Sequence, residues 1–179
     1  IHERLVGSEM CIRDRLYAVI QNMAVTEQYG FSMVTVNVVM MGFVAFIWFW
    51  SAWKGNTVFS FDNITWKTGW TIPVALFCLW WPMDLRTALP DFRLHYLLDS
   101  GAVLGFCPMT PVFLTLLILS KRSVSRVVLR VTAMVGVIIG CYNMGNFATD
   151  TGFYLGLYHL PLLGISLFAL LSSKRKKNE

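Results

Sequence analysis

The sequence predicts an all-α transmembrane helical bundle, on three observations. Of its 179 residues 56% are hydrophobic and only 14% charged, far from the balance of a soluble domain. The apolar residues fall in blocks of about 20, enough to cross a bilayer core, rather than in one-sided stripes. The Lys and Arg residues gather where those blocks end, which is how cytoplasmic loops are marked in membrane proteins. The net charge of +5 therefore reports topology, and no nucleic-acid partner is expected.

Residues 1–15 stand apart. Leu5 to Arg15 reads as the in-frame translation of a transposon-end sequencing adapter, so this stretch is set aside as non-native and the true N-terminus is expected to be missing. Its bases Arg4, Arg13 and Arg15 cancel its acids Glu3, Glu9 and Asp14, so the charge argument is unaffected. Residues 16–173 form one transmembrane helical domain, and residues 174–179 a basic tail.

Taken in order, Leu16–Thr26 reads as the tail of a truncated helix, and Glu27 with Gly30 as a polar turn. Phe31–Trp53 carries no charge over 23 residues, long enough to span, and Trp48, Trp50 and Trp53 look like an interfacial aromatic belt. The loop Lys54–Lys67 alternates as a small hairpin would, and its Asn63-Ile64-Thr65 sequon is taken as chance, since the topology puts it in the cytoplasm. Thr68–Met83 is a short span of 16 uncharged residues, about 24 Å as a helix. Leu85–Leu98 mixes charged and apolar residues around Pro90 and reads as interfacial or re-entrant. Ser100–Ser120 is the next span, and its Pro108 and Pro111 free carbonyls that need partners in the bundle. After the basic turn Lys121–Arg130 comes Val131–Thr149, whose Gly136 and Gly140 suit close helix packing. Thr151–Ser173 is the last span.

The expected architecture is therefore five complete spans plus a truncated N-terminal one, six in the intact protein. The basic turn and the tail place the C-terminus in the cytoplasm, across a bacterial inner membrane, with Glu27, Asp99 and Asp150 outside. Asp150-Thr151-Gly152-Phe153-Tyr154-Leu155-Gly156 echoes Asp99-Ser100-Gly101-Ala102-Val103-Leu104-Gly105. That echo suggests repeated helical hairpins related about the membrane normal. Shared turn chemistry, an acid and a hydroxyl capping a helix start, accounts for it equally well.

Polar residues collect at the outer ends: Asp84, Arg86, Arg93, His95, Asp99, Asn143, Asn146 and Asp150. In a ring of hairpins they would surround one outward vestibule in which Arg86 and Arg93 hold an anionic group. The alternative is a solvated loop layer with salt bridges. His159 is the one ionisable residue well inside a span, about 13 Å from its outer end. It reads either as a proton or ligand group or as a partner for a carbonyl freed by Pro161.

Several chemistries are excluded. There is no H-E-x-x-H, no C-x-x-C, no glycine-rich phosphate loop and no lysine within a span. Cys78, Cys107 and Cys141 are too widely spaced to pair by motif and read as small buried hydrophobes. No metal or cofactor is expected. The leading expectation is a transporter or permease-like protein for a small polar or anionic solute. One alternative is a membrane-embedded enzyme acting on a lipid or isoprenoid headgroup through Asp84, Asp99 and His95. Another is a non-catalytic membrane-complex subunit. The expected partners are the lipid bilayer, a small polar or anionic solute and further copies of the chain.

Overall fold

The computed structural model describes residues 23–26, 30–33, 35–55, 57–61, 63–84, 89–97, 106–120, 124–148 and 153–174. The first departure from expectation comes at once. Met23–Thr26 is a strand, β1, paired antiparallel with β2, Gly30–Met33, from Met23 opposite Met33 to Thr26 opposite Gly30. Helix therefore does not run through residue 26, and the following helix starts later than Phe31. The first of these four-residue runs carries β-branched Val25 and Thr26, which favour strand over helix.

Helix α1 spans Thr35–Trp53, about 28 Å at 1.5 Å per residue. Met41, Val44, Ala45, Trp48 and Ser51 form its buried face, and Val39, Phe43, Phe46, Trp50 and Trp53 its exposed one. Trp48 thus leaves the expected belt. It is buried and donates its indole N–H to the Thr132 hydroxyl at 3.0 Å. Trp50 stays outside with the Lys54 ammonium 4.7 Å above its ring.

No strand forms among the described residues of the loop that follows. Asn63 instead caps a later helix: its side-chain amide donates to the Ile118 carbonyl and its backbone N–H to the Leu119 carbonyl, both at 3.0 Å. The sequon nitrogen is thereby occupied. Thr65 and Thr68 make a reciprocal capping box on the single turn α2, Trp66–Gly69, and helical Trp70 leads into α3, Thr71–Trp80. Pro73 falls in the first turn of α3, where a missing N–H is harmless. The helix ends where Trp81 takes a left-handed conformation (φ 43°, ψ 66°) and donates its N–H to the Phe77 carbonyl. Pro82 is the local cause, because the residue before a proline is pushed out of the right-handed helical region.

Beyond Pro82, β3 (Met83–Asp84) pairs antiparallel with β4 (Leu89–Pro90), and a 3-10 turn covers Leu94–Leu97. Helix α4, Phe106–Leu119, carries Pro108 in its first turn and Pro111 inside, both buried. Helix α5, Arg126–Asn143, passes into a 3-10 turn, Met144–Ala148. Helix α6, Phe153–Lys174, contains Pro161. The two helices expected to run outward end differently, α3 on left-handed Trp81 and α5 on a 3-10 turn. The Asp99–Gly105 copy and the Asp150–Gly152 start of its echo lie outside the described residues.

The described residues are mostly helical, and among them two helices are long and apolar enough to cross a membrane, Arg126–Ala148 and Phe153–Ser173. Val38–Trp53 and Phe106–Leu119 are apolar but shorter. Less than half of the most apolar 18-residue stretch of each long helix is buried (44% and 39%).

Helix α5 against α6 is the most extensive contact. Gly136 abuts Ser166, with an added Cβ 3.2 Å from the Ser166 Cβ. Gly140 abuts Leu163, with an added Cβ 3.1 Å from the Leu163 Cβ and 3.3 Å from its Cα. The glycine pair expected to allow close packing does so here. The core runs on through Val44, Leu114, Leu117, Val128, Leu162 and Ile165.

The helices alternate between two ends. At one, Ser125 N–H donates to Thr57, Ser60 N–H to Ser120, and Arg130 to the hydroxyl and carbonyl of Ser173 at the close of α6. At the other, Tyr158 reaches Pro82 and Gly156 packs on Phe147. Among the described residues Lys54, Lys67, Arg126, Arg130 and Lys174 belong to the first, basic end. The second end holds Asp84, Asp91 and Arg93.

Candidate functional site

The second end builds three small clusters. The deepest lies between the end of α3 and the start of α6. Left-handed Trp81 turns its ring inward against Tyr158 (centroids 5.2 Å, edge-on) and His159 (6.2 Å, edge-on), while Phe77 stacks on Tyr158 at 5.8 Å. The Tyr158 hydroxyl donates to the Pro82 carbonyl at 2.6 Å, which ties α6 to the turn that breaks α3. Trp81, Met83 and Tyr158 are all buried.

His159 is 5% exposed. Its Nδ1 lies 2.6 Å from the Leu155 carbonyl, one turn back in the same helix. A carbonyl only accepts, so the neutral ring carries its proton on Nδ1 and leaves Nε2 as an acceptor. The carbonyl freed by Pro161 would be that of Leu157, four residues before it. His159 therefore caps a different carbonyl from the one expected.

The second cluster is the segment after β4. Arg93 chelates Asp91 through Nε (3.0 and 2.7 Å to the two carboxylate oxygens) and Nη2, and the Tyr96 hydroxyl donates to Asp91 at 3.1 Å. Trp80 donates its indole N–H to the Arg93 carbonyl at 3.4 Å and meets Phe92 edge-on. The Arg93 hydrogen bond holds the Asp91 carboxyl below its ordinary value, and desolvation first, then the Asp91 bond, raises the Tyr96 phenol. The charge of Asp84 adds to that rise. Arg93 was expected to hold an external anion; its fork is already filled by Asp91.

This cluster yields a direct test. Asp91→Asn removes the acceptor charge and should lower the Tyr96 pKa, leaving desolvation and the Asp84 charge to raise it against the Arg93 charge, which lowers it. In the native protein the same carboxylate protonates only below its ordinary 3.8. Whatever the Asp91–Arg93 bridge contributes is thus present above that pH and lost as pH falls through the depressed value. Tyrosine-labelled NMR titration reads both effects, and an unmoved Tyr96 in the variant would refute the coupling.

The third cluster is internal to the α5 terminus: Asn143 donates to the Ile139 carbonyl at 2.9 Å, and Asn146 to the Asn143 side-chain oxygen at 3.3 Å. These amides close their own helix end. Arg86, Asp99 and Asp150 lie outside the described residues, as does the His95 side chain, whose backbone belongs to the 3-10 turn. Reading the sequence missed Asp91, Tyr96, Trp81 and Tyr158. A signal existed for two of them: Trp81 precedes Pro82, and Asp91 stands two residues from Arg93.

Among the described residues no three His, Cys, Asp or Glu side chains converge as metal ligands, and Cys78, Cys107 and Cys141 are free thiols. A void beside Trp48, Met109, Thr110 and Thr132 measures about 10 Å³, no more than one water's space. The chain matches no family model, no curated protein and no solved structure. What fold and site define is a mostly helical chain with two helices fit to cross a membrane and a polar layer at either end.

Proposed function

We propose that this chain is a polytopic integral membrane protein with five crossings, its basic end in the cytoplasm, and that it serves as a packed, non-catalytic membrane subunit. The observation that carries the subunit reading is His159. The one ionisable side chain deep in a span is sealed under Trp81 and spent on its own helix, as a structural histidine would be. The segregation of charge supports the crossings. Among the described residues Lys54, Lys67, Arg126 and Arg130 sit at one end, and Arg93 at the other is neutralised by Asp91. Helix α3 with its preceding turn runs from Trp66 to Trp80, about 22 Å, so local thinning accompanies that crossing. The exposed stripe Val39, Phe43, Phe46, Trp50 and Trp53 on α1 faces lipid or a neighbouring helix.

A second reading, a permease-like protein for a small polar or anionic solute, rests on Trp81. Its left-handed backbone is costly for a non-glycine residue, and the ring it holds in place covers His159. One set of labelling experiments tests both readings. In a cysteine-free background, Tyr142→Cys should react with an impermeant maleimide from outside intact cells, and Arg126→Cys only after lysis. Reaction of both from one side would overturn the topology. His159→Cys should stay unreactive toward a small cationic thiosulfonate applied from outside. Fast reaction there would replace the subunit reading with the permease.

A further inference from the structure

An apolar groove of about 300 Å³ runs between α3 and α4, floored by Ala75 and walled by Ile72, Leu79, Val112 and Leu116. It follows α3 for about 10 Å, from Ile72 to Leu79 at 1.5 Å per residue. At the basic end, past Ile64, lies a wider hollow of about 760 Å³ bordered by Trp66, Lys67 and Trp70. Ile64 lines both, so groove and hollow are neighbours. The mouth is unusual for two side chains. Trp66 is 97% exposed, a costly place for an indole in water but a favoured one at headgroup depth, where its apolar ring and N–H meet both phases. Lys67, beside it, supplies a cation at the same level.

We propose that this is a binding site for one anionic phospholipid of the cytoplasmic leaflet, its phosphate against Lys67 and one acyl chain in the groove. Charge selects the occupant. A lipid with a net negative headgroup meets the Lys67 ammonium without a competing cation of its own, whereas a zwitterionic one brings a quaternary amine. A packing helix from a second copy would fill the groove but leave Lys67 unanswered. The hollow's place at the basic end, beside Lys67, matches the leaflet in which anionic lipids attract Lys and Arg.

The proposal rests on the membrane reading, and its test separates the two. The full chain is purified in detergent and titrated with phosphatidylglycerol or phosphatidylcholine, and bound lipid is counted by native mass spectrometry. Wild type should favour phosphatidylglycerol by about fivefold, the effect of one basic residue near a membrane surface. Lys67→Gln should bring that ratio to about one, and Val112→Trp, which fills the groove, should weaken both lipids. A chain that stays in the membrane fraction after carbonate wash yet shows no headgroup preference overturns the lipid site alone. So does a Lys67→Gln variant that keeps the preference, or a dimer that Val112→Trp disrupts in place of lipid loss. A chain released by carbonate overturns the membrane reading beneath it. If Val112→Trp does not fold, Lys67→Gln decides.

Discussion

Trp48→Ala should destabilise the folded chain by about 3–5 kcal/mol, the cost of emptying a large aromatic site in a packed core. Trp48 is 4% exposed, lies 6.1 Å from Phe113 and 6.5 Å from Phe59 ring to ring, and donates to Thr132 on α5. It is the side chain that fastens α1 to the rest of the bundle. In detergent the midpoint of thermal unfolding should fall by on the order of 10 °C. Two companions give the result its meaning. Trp48→Phe keeps most of the volume but strands the Thr132 hydroxyl, and should cost about 1–2 kcal/mol. Trp53→Ala, at a position 73% exposed, should stay within about 0.5 kcal/mol of wild type. If Trp48→Ala behaved like Trp53→Ala, Trp48 would be an interfacial residue and the docking of α1 described above would be wrong.

That contrast shows what could and could not be read from the chain. The three tryptophans at the end of α1 look alike in sequence because α1 is apolar on both its buried and its exposed face. An amphipathic helix declares its buried face by periodicity, and where both faces are apolar that contrast vanishes. Helix α6 was legible for the opposite reason: Asp150 and Lys174 bound it, and its expected limits, Thr151–Ser173, fall within two residues of the observed Phe153–Lys174. The start of α5 was not, because Arg126 and Arg130 read as a basic turn and put the helix at Val131, whereas it begins at Arg126. Gly136 and Gly140 were legible as well, since only close approach gives two glycines four apart a use in a helix. The strand at Met23–Thr26 was not, because a four-residue apolar run carries no period that separates helix from strand.

The candidate site was legible by composition and not by geometry. Polar residues at the outer helix ends were evident, yet their partners depend on how the chain turns after α3. Trp81 and Pro82 set that turn, which brings Tyr158 to the Pro82 carbonyl and lays Trp81 over His159. The pairing of Arg93 with Asp91 is local and in principle readable, but a sequence does not say whether a guanidinium looks inward to its neighbour or outward to a solute. For His159 the sequence offered the Pro161-freed carbonyl as a partner, whereas its Nδ1 lies against the Leu155 carbonyl one turn back.

Gly140→Leu should prevent stable folding, and the neighbouring Gly136 should respond in a way that identifies the cause. At Gly140 even a methyl group would sit 3.1 Å from the Leu163 Cβ and 3.3 Å from its Cα. Backbone cannot rotate aside, so α5 and α6 must separate along their most extensive contact. Gly140→Ala should already cost about 1–3 kcal/mol, as overpacking does. At Gly136 the obstacle is different. An added methyl would collide with the Ser166 hydroxyl, a short side chain, with the Ser166 Cβ 3.2 Å away. That hydroxyl is fully buried and makes no hydrogen bond, so it stabilises nothing that would be lost with it. Ser166→Ala should therefore be neutral or stabilising, since it removes a buried group that goes unpaired. Gly136→Ala should destabilise alone and lose much of its penalty in combination with Ser166→Ala. The measurement is a double-mutant cycle on thermal midpoints in detergent, with Gly140→Ala and Ser166→Ala as the control pair expected to add. If Ser166→Ala rescued Gly140→Ala as well as Gly136→Ala, the effect would be general loosening of the helix pair. Rescue at Gly136 only would locate the clash where one hydroxyl on α6 fills the space of the side chain that α5 lacks.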